Sequence, residues 1–202
     1  MMQMIGVVGR NAHILALAQP YLDTRHNDVH VQTSCRFARR LLEQIDADED
    51  LVIPAILLHD IGWKMIPEEL QLTAFGPAAQ NPELNRKHEL ESVRLAREIL
   101  EQVEYDPDKT GEILVIIEGH DSRKVALSVN DQVVKDADKL WRFAPEGFYI
   151  DCRRFGIPAG EYAEWLDKQI EGWFFTTVGK ALAREEIANR KAELGIASPQ
   201  SP

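Results

Sequence analysis

Residues 56–62 read Ile56-Leu57-Leu58-His59-Asp60-Ile61-Gly62, an apolar run that arrives at a histidine and an aspartate and ends at a glycine. A helix this apolar is buried on most sides, and ionisable groups rarely sit in such a place without a partner. Burying an isolated carboxylate is costly, so the pair points to a cation nearby. The competing reading is a helix C-terminus where a histidine caps carbonyls and an aspartate opens the turn. On this stretch alone the two readings balance, and the other histidines decide between them.

At 202 residues the chain fits one domain with a single substantial core. Its composition, 45% hydrophobic and 28% charged, is that of a globular protein and not of a disordered one. A formal net charge of −10 argues against a nonspecific grip on a nucleic acid polymer, which needs many cations against phosphates. A small anionic substrate remains compatible, because a local basic cluster can serve it. Cys35 and Cys152 are far apart and form no CxxC pair, which gives no disulfide framework or zinc–thiolate site and suggests a reducing, cytoplasmic setting. The opening residues 1–10 are mildly apolar but lack the basic and long apolar regions of a signal peptide, and no apolar run reaches membrane length. No membrane partner is therefore expected, whereas a homo-oligomer is compatible with the sequence. The tail 198–202 is expected to fray.

Taken in order, residues 11–22 read as a first helix stopped near Pro20, and Asn27 or Asp28 caps a second that runs to Ile45. Phe37, Ala38, Leu41 and Ile45 form its apolar face, and helical steps backward along that face reach Ser34 and His30. His26 falls before the helix, at the surface. Acidic residues 46–50 cap the helix of the opening motif, with Pro54 placed in its first turn. Pro67, Gly76, Pro77 and Pro82 then punctuate a long loop with a short helix near 68–72, and a loop of that length suggests a lid. A helix over 83–103 carries Leu84, His88, Leu95, Ala96 and Ile99 on one side. Asp106 and Pro107 open the next helix, whose apolar end delivers His120 much as the opening run delivers His59. Residues 129–143 place Val129, Val133, Asp136, Leu140 and Phe143 on one face, so Asp136 is expected to point inward and Asp138, about 200° round the helix, elsewhere. Two or three helices follow, one aromatic-rich and the last amphipathic over 176–194. No strand-period alternation is convincing, so the fold is read as all-α, a compact single-domain helical bundle of about 7–9 helices with no significant sheet. Residues 1–26 give a helix packed on the core, 27–143 the metal-binding core, and 144–197 helices that complete the same domain.

His30, His59, His88 and His120, with Asp60 and Asp136, share one feature: each sits on, or at the end of, the apolar face of a helix. A lone core-facing histidine is more often hydrogen-bonded to a carbonyl than bound to metal. Six such groups are hard to satisfy one by one, because each would need its own buried partner, and a shared metal centre satisfies them jointly. Imidazole and carboxylate without thiolate suit one or two divalent transition ions, manganese, iron, cobalt, nickel or zinc, and do not suit an all-oxygen calcium cage.

His30, then His59-Asp60, then Asp136 within Lys135-Asp136-Ala137-Asp138-Lys139-Leu140, resembles the H…HD…D signature of the HD-domain superfamily of metal-dependent phosphohydrolases. The similarity runs from about Asn27 to Phe143. It implies that His30, His59, Asp60 and Asp136 ligate one metal. It also implies that His88 and His120 occupy the positions that hold a second metal in some branches, with Asp60 bridging; in single-metal relatives this region contacts substrate phosphate. Residues 59–67 are similar to the HDIGK…IP stretch of the HD-GYP cyclic-dinucleotide phosphodiesterases. Trp63 is inserted before Lys64, however, and His120 is followed by Asp121-Ser122-Arg123-Lys124 in place of a GYP segment, so that activity is not expected.

Phosphate-ester hydrolysis needs an activated water and neutralised oxygen charge, and metals provide both. The leading expectation is a phosphohydrolase cleaving a small phosphate ester, a nucleotide foremost, by attack of metal-bound hydroxide. Asp60 is the catalytic carboxylate, and Lys64 and Arg123 are the candidate phosphate-holding cations. Lys124, Arg86 and Lys87 are weaker ones, the alternative for all of them being solvated surface charge. A di-iron oxygenase of the HD type would use the same six ligands, and a non-catalytic regulatory HD module ranks last because the ligand set is complete.

Overall fold

A computed structural model describes residues 8–74, 80–81 and 83–196. Among them the chain forms ten α-helices, α1 Gly9–Leu22, α2 Asn27–Leu42, α3 Glu49–Leu58, α4 Glu68–Gln71, α5 Glu83–Gln102, α6 Pro107–Glu118, α7 Val129–Leu140, α8 Pro145–Phe155, α9 Ala159–Trp173 and α10 Thr177–Glu193. A 3-10 helix, Ile61–Met65, follows α3, and no strand occurs among the described residues. The all-α expectation holds. The expected N-terminal segment before residue 8, the tail 198–202 and the loop residues Gly76, Pro77 and Pro82 lie outside the described residues.

The opening stretch belongs to α3, and every residue from Leu51 to Leu58 is buried. A helix apolar on all sides must be surrounded, and α3 packs against α1, α2, α6 and α7. Asp48 caps its start by accepting from the Asp50 amide at 2.9 Å. Pro54 sits deeper than the first turn, inside the helix, so Asp50 lacks the amide that would normally bond its carbonyl. The Tyr105 hydroxyl supplies the missing donor to that carbonyl at 2.6 Å. This explains how a proline is accommodated in the most buried helix of the molecule. In α1, Pro20 likewise lies inside the helix and does not stop it.

Between α1 and α2 the chain turns sharply through Arg25 and His26, both with positive φ (53° and 60°). Asn27 is not the cap expected from sequence but the first helical residue, and its side-chain Nδ2 donates to the Asp60 carbonyl at 3.1 Å. That bond ties the start of α2 to the end of α3. The segment after α3 begins with ordered structure where a long loop was expected, because the 3-10 helix packs closely on α5. Gly62 makes this approach possible. A Cβ there would lie 2.1 Å from the His88 carbonyl oxygen and 2.4 Å from the Ser92 nitrogen, and the Gly62 amide donates to Ser92 Oγ at 2.8 Å. Gln71 of α4 fastens the same turn by donating to the carbonyls of Trp63 and Ile66.

The C-terminal helices pack on this frame, α8 against α2 and α10 against α7 and α9. Helix α7 is consequently enclosed on more than one side, by α2 and α3 and by α10. Residues from Asn130 to Asp138 other than Gln132 are buried, Asp136 and Asp138 among them. No helix among the described residues is long and apolar enough to cross a membrane.

Candidate metal centre

His59 stands at the C-terminal end of α3 and His120 just past the end of α6. In both, Nδ1 donates to the carbonyl three residues earlier, Ile56 for His59 and Ile117 for His120, each at 2.8 Å. A carbonyl only accepts, so the proton is on Nδ1 and the Nε2 of a neutral ring presents a lone pair. This carbonyl-anchored tautomer is the arrangement that orients imidazoles toward a metal.

The Nε2 atoms converge in two pairs. His30 and His59 approach to 2.9 Å, and His88 and His120 to 3.1 Å. Asp60 lies between the pairs. Its Oδ2 is 3.4 Å from His30 Nε2, while its Oδ1 is 3.4 Å from His88 and 3.5 Å from His120. Asp138 completes the first pair, with Oδ1 3.3 Å from His30 and 3.5 Å from His59. Asp121 flanks the second, with Oδ2 3.9 Å from both histidines. Three overlapping triplets, His30–His59–Asp138, His59–Asp60–His120 and His88–His120–Asp121, each bring their ligand atoms within 4.8 Å of one another.

So many acceptors in one buried volume call for positive charge. Burial pushes the His30 and His88 rings down, against the pull of Asp138 and Asp60 respectively. Burial acts on His120 in the same direction, but contact with Asp60 and the charge of Asp121 prevail and push it up to about 9. Desolvation would raise Asp60, yet the charge on His59 and the contacts with His120 and His88 hold it well below the carboxylate range. Asp138 is likewise held down, against desolvation, by Lys139, His30 and His59. A set of lone-pair nitrogens and ionised carboxylates that draws in a proton is a set that fits a divalent transition metal.

The structure corrects one expected ligand. Asp136 does not join the cluster; its carboxylate accepts from the amides of Phe175 and Thr176 at 2.8 and 2.9 Å and from the Thr176 hydroxyl at 2.6 Å. A Cβ on Gly179 would meet Asp136 Oδ2 at 2.3 Å, so the carboxylate is seated against the first turn of α10. Burial, partly offset by those hydrogen bonds, pushes Asp136 up to about 6. The expectation rested on a single buried face for α7. The helix is buried on opposite sides, so the side of Asp136 meets α10 and the side of Asp138 meets His30 and His59. The terminal aspartate of the signature is therefore best assigned to Asp138.

The expected phosphate-holding cations also lie elsewhere. Lys64 is exposed and donates to the Asp23 carbonyl at 2.6 Å. Arg123 donates to Asp131 at 2.9 Å and to the Val115 carbonyl at 3.2 Å, clasping the turn that presents His120. Arg86 pairs with Glu118 and Glu89, and Lys87 is exposed. Beside the cluster lies a cavity of about 330 Å³ lined by His30, Asp60, Asp121 and Asp138. Of the cations named from sequence only Lys124 reaches it; Arg25, Lys139, Arg142 and Arg154 are the others along its wall.

Three supporting residues escaped the sequence reading. Trp63 stacks on the His88 ring at 4.1 Å, donates from Nε1 to Asp60 Oδ1 at 3.0 Å and carries the Arg25 guanidinium over its ring at 4.0 Å. Buried Glu89 accepts from the Asp121 and Ser122 amides and the Ser122 hydroxyl, which fixes the turn after His120. Lys135, expected only as part of a motif, is buried and donates to the carbonyls of Gly119, His120 and Arg123. A fourth, Asp121, did have a visible signal, since His120-Asp121 repeats just past the end of α6 the doublet found at the end of α3.

Fold and site together define an all-α protein with a buried histidine–aspartate centre whose ligand atoms could hold a metal. The family model of the HD domain matches residues 28–142, more than half of the chain, and the chain belongs to the HD-domain family. No curated protein and no solved structure gave a significant match.

Proposed function

We propose that the chain is a metal-dependent phosphohydrolase that cleaves a phosphate ester of a small molecule, with nucleotides the first class to test. The observation that carries this reading is the Asp60 carboxylate, which turns one oxygen toward His30 and the other toward His88 and His120. That division suits a bridging ligand between two metal positions, His30, His59 and Asp138 on one side and His88 and His120 on the other, with Asp121 beside them. When bound, divalent metals there supply Lewis acidity and a lowered pKa for water.

The chain's own residues supply the rest. Asp60 and Asp138 are held ionised, so neither has to lose a proton before serving as a ligand. Lys139 donates to Asp121 at 2.5 Å and to Asp138 at 2.6 Å, which fixes both carboxylates at the cavity edge. The cavity, about 330 Å³, is at the small end of the range of small-molecule sites, roughly 300–1,000 Å³. Its basic lining in a chain of net charge −10 supports an anionic ligand.

The test is phosphate release over a panel of nucleotides and phosphate monoesters with manganese, cobalt, iron and zinc in turn, and with Asp60→Ala as the control. Release that depends on metal and disappears in Asp60→Ala is the expected result. Oxygen consumption and a mixed-valence iron signal, without phosphate release, would overturn it in favour of the oxygenase reading.

A further inference from the structure

The match to the HD domain ends at residue 142, but the cavity does not: Arg154, Trp165 and Trp173 lie beyond it and line the same space as His30, Asp60 and Asp138. Behind that wall stands Asp151, fully buried on α8. It accepts from Arg142, from Arg154 Nη1 at 2.8 Å and from the Tyr162 hydroxyl at 2.8 Å. The other terminal nitrogen of Arg154 donates to the Arg25 carbonyl at 2.6 Å, which ties this network to the turn that sets Arg25 over Trp63.

A buried carboxylate among arginines is weak evidence for stability, because well-packed apolar groups do as well or better. What the arrangement does achieve is orientation. Two guanidiniums are each tied by a terminal nitrogen to one buried acceptor, and each lines the cavity. Fixed guanidinium forks match the spacing of phosphate or carboxylate oxygens and lose little freedom on binding them. Among the described residues five cationic side chains line the cavity against three carboxylates, and those carboxylates are the ones that face the candidate metals. Counting Asp151 behind the wall, one cation remains in excess, bound metal would add to it, and an oxyanion is the ligand that balances it. Beside the arginines, half-buried Trp165 and Trp173 meet edge to face at 5.3 Å, and Tyr162, already held by Asp151, stacks on Trp165 at 5.6 Å.

We infer that the residues beyond the matched domain build the recognition wall of the site: Arg142 and Arg154, oriented by Asp151 as a positioning residue, hold an oxyanion of the ligand, and Trp165 and Trp173 take a planar ring of the same molecule. This rests on the reading of the cavity as the substrate site, not on the hydrolytic step.

Two phosphonates that resist hydrolysis test it by isothermal titration into the manganese-loaded full chain, phenylphosphonate with a ring and methylphosphonate without. Wild type is expected to bind phenylphosphonate several-fold more tightly. Asp151→Asn and Arg154→Lys should each weaken both ligands by about 10-fold or more, since hydrogen bonds to charged groups are involved, with metal content unchanged. Trp173→Leu should erase the preference for the ring. Arg154→Lys keeps the positive charge beside Asp151, so it carries the test even if Asp151→Asn fails to fold. Wild-type phosphonate affinity in a folded, metal-replete Arg154→Lys would overturn the arginine subsite, as would binding that follows metal content alone. Equal affinities for the two phosphonates in wild type would overturn the ring assignment. Because no turnover is measured, failure of the hydrolase reading would appear separately, as phosphonate binding without phosphate release from any ester.

Discussion

Two aspartates two residues apart on α7 make opposite demands on one experiment. Asp138→Asn replaces a carboxylate oxygen lying 3.3 Å from His30 and 3.5 Å from His59, and is expected to lower metal content sharply. Asp136→Asn leaves those distances alone but removes one or two of the three hydrogen bonds that fasten Phe175 and Thr176 at the head of α10. An asparagine keeps one acceptor oxygen and turns an NH₂ toward groups that are themselves donors. Losing one or two such bonds in a buried setting costs about 2–4 kcal/mol. For a chain of this size that corresponds to a fall in melting temperature of roughly 5–15 °C. The assay pairs metal analysis of the purified variants with thermal unfolding followed by circular dichroism. Asp136→Asn should melt early with wild-type metal stoichiometry, and Asp138→Asn should be metal-poor. The reverse pattern, metal lost in Asp136→Asn and kept in Asp138→Asn, would refute the assignment of the terminal ligand.

Further outcomes follow from the same geometry. Trp63→Phe keeps a ring against His88 but removes the donor to Asp60, and metal affinity measured by competitive titration should fall about 10–100-fold, the usual effect of losing a group that orients a ligand; unchanged affinity would make Trp63 mere packing. Gly62→Ala drives a methyl to 2.1 Å from the His88 carbonyl oxygen, so the 3-10 helix must move off α5, with a cost of about 3 kcal/mol or more and loss of metal seen by elemental analysis. Chelator treatment tests whether the buried histidine–aspartate centre holds a cation in the native protein. If metal is present at about 100 times its dissociation constant, its removal should cost about 2.7 kcal/mol, a drop in melting temperature of roughly 5–10 °C that added manganese restores. A melting curve indifferent to chelator would argue against a bound metal in the native protein.

Much of the fold could be read from the chain because local signals agreed with one another. The apolar run before His59 had to be enclosed, Asp48 and Asp106 capped helices by their own side chains, and the 3.6-residue period placed α2, α5 and α6 within a residue or a few of their observed limits. The four histidines were legible for the same reason: each occupies the buried side or the end of a helix whose other neighbours are apolar.

Helix α7 shows where that logic stops. Periodicity assigns one inner face, and it assigned that face to Asp136; but α10, far along the chain, covers the side of Asp136, while α2 and α3 cover the other. Two polar residues about 200° apart were both buried, each with its own partners, and no local pattern distinguishes the carboxylate that meets histidines from the one that meets amides. The same holds for the basic wall. Arg25 reaches the cavity through a positive-φ turn, and Arg142 and Arg154 through a carboxylate on α8, so their convergence depends on tertiary packing between distant segments. Lys64 and Arg123 looked better because they closely follow the helix ends that carry His59 and His120. Adjacency along the chain located His59 and His120, which stand at the ends of buried helices, but it misled for the cations. A cation there can turn back onto the nearest carbonyl or carboxylate, as Lys64 does onto Asp23 and Arg123 onto Asp131.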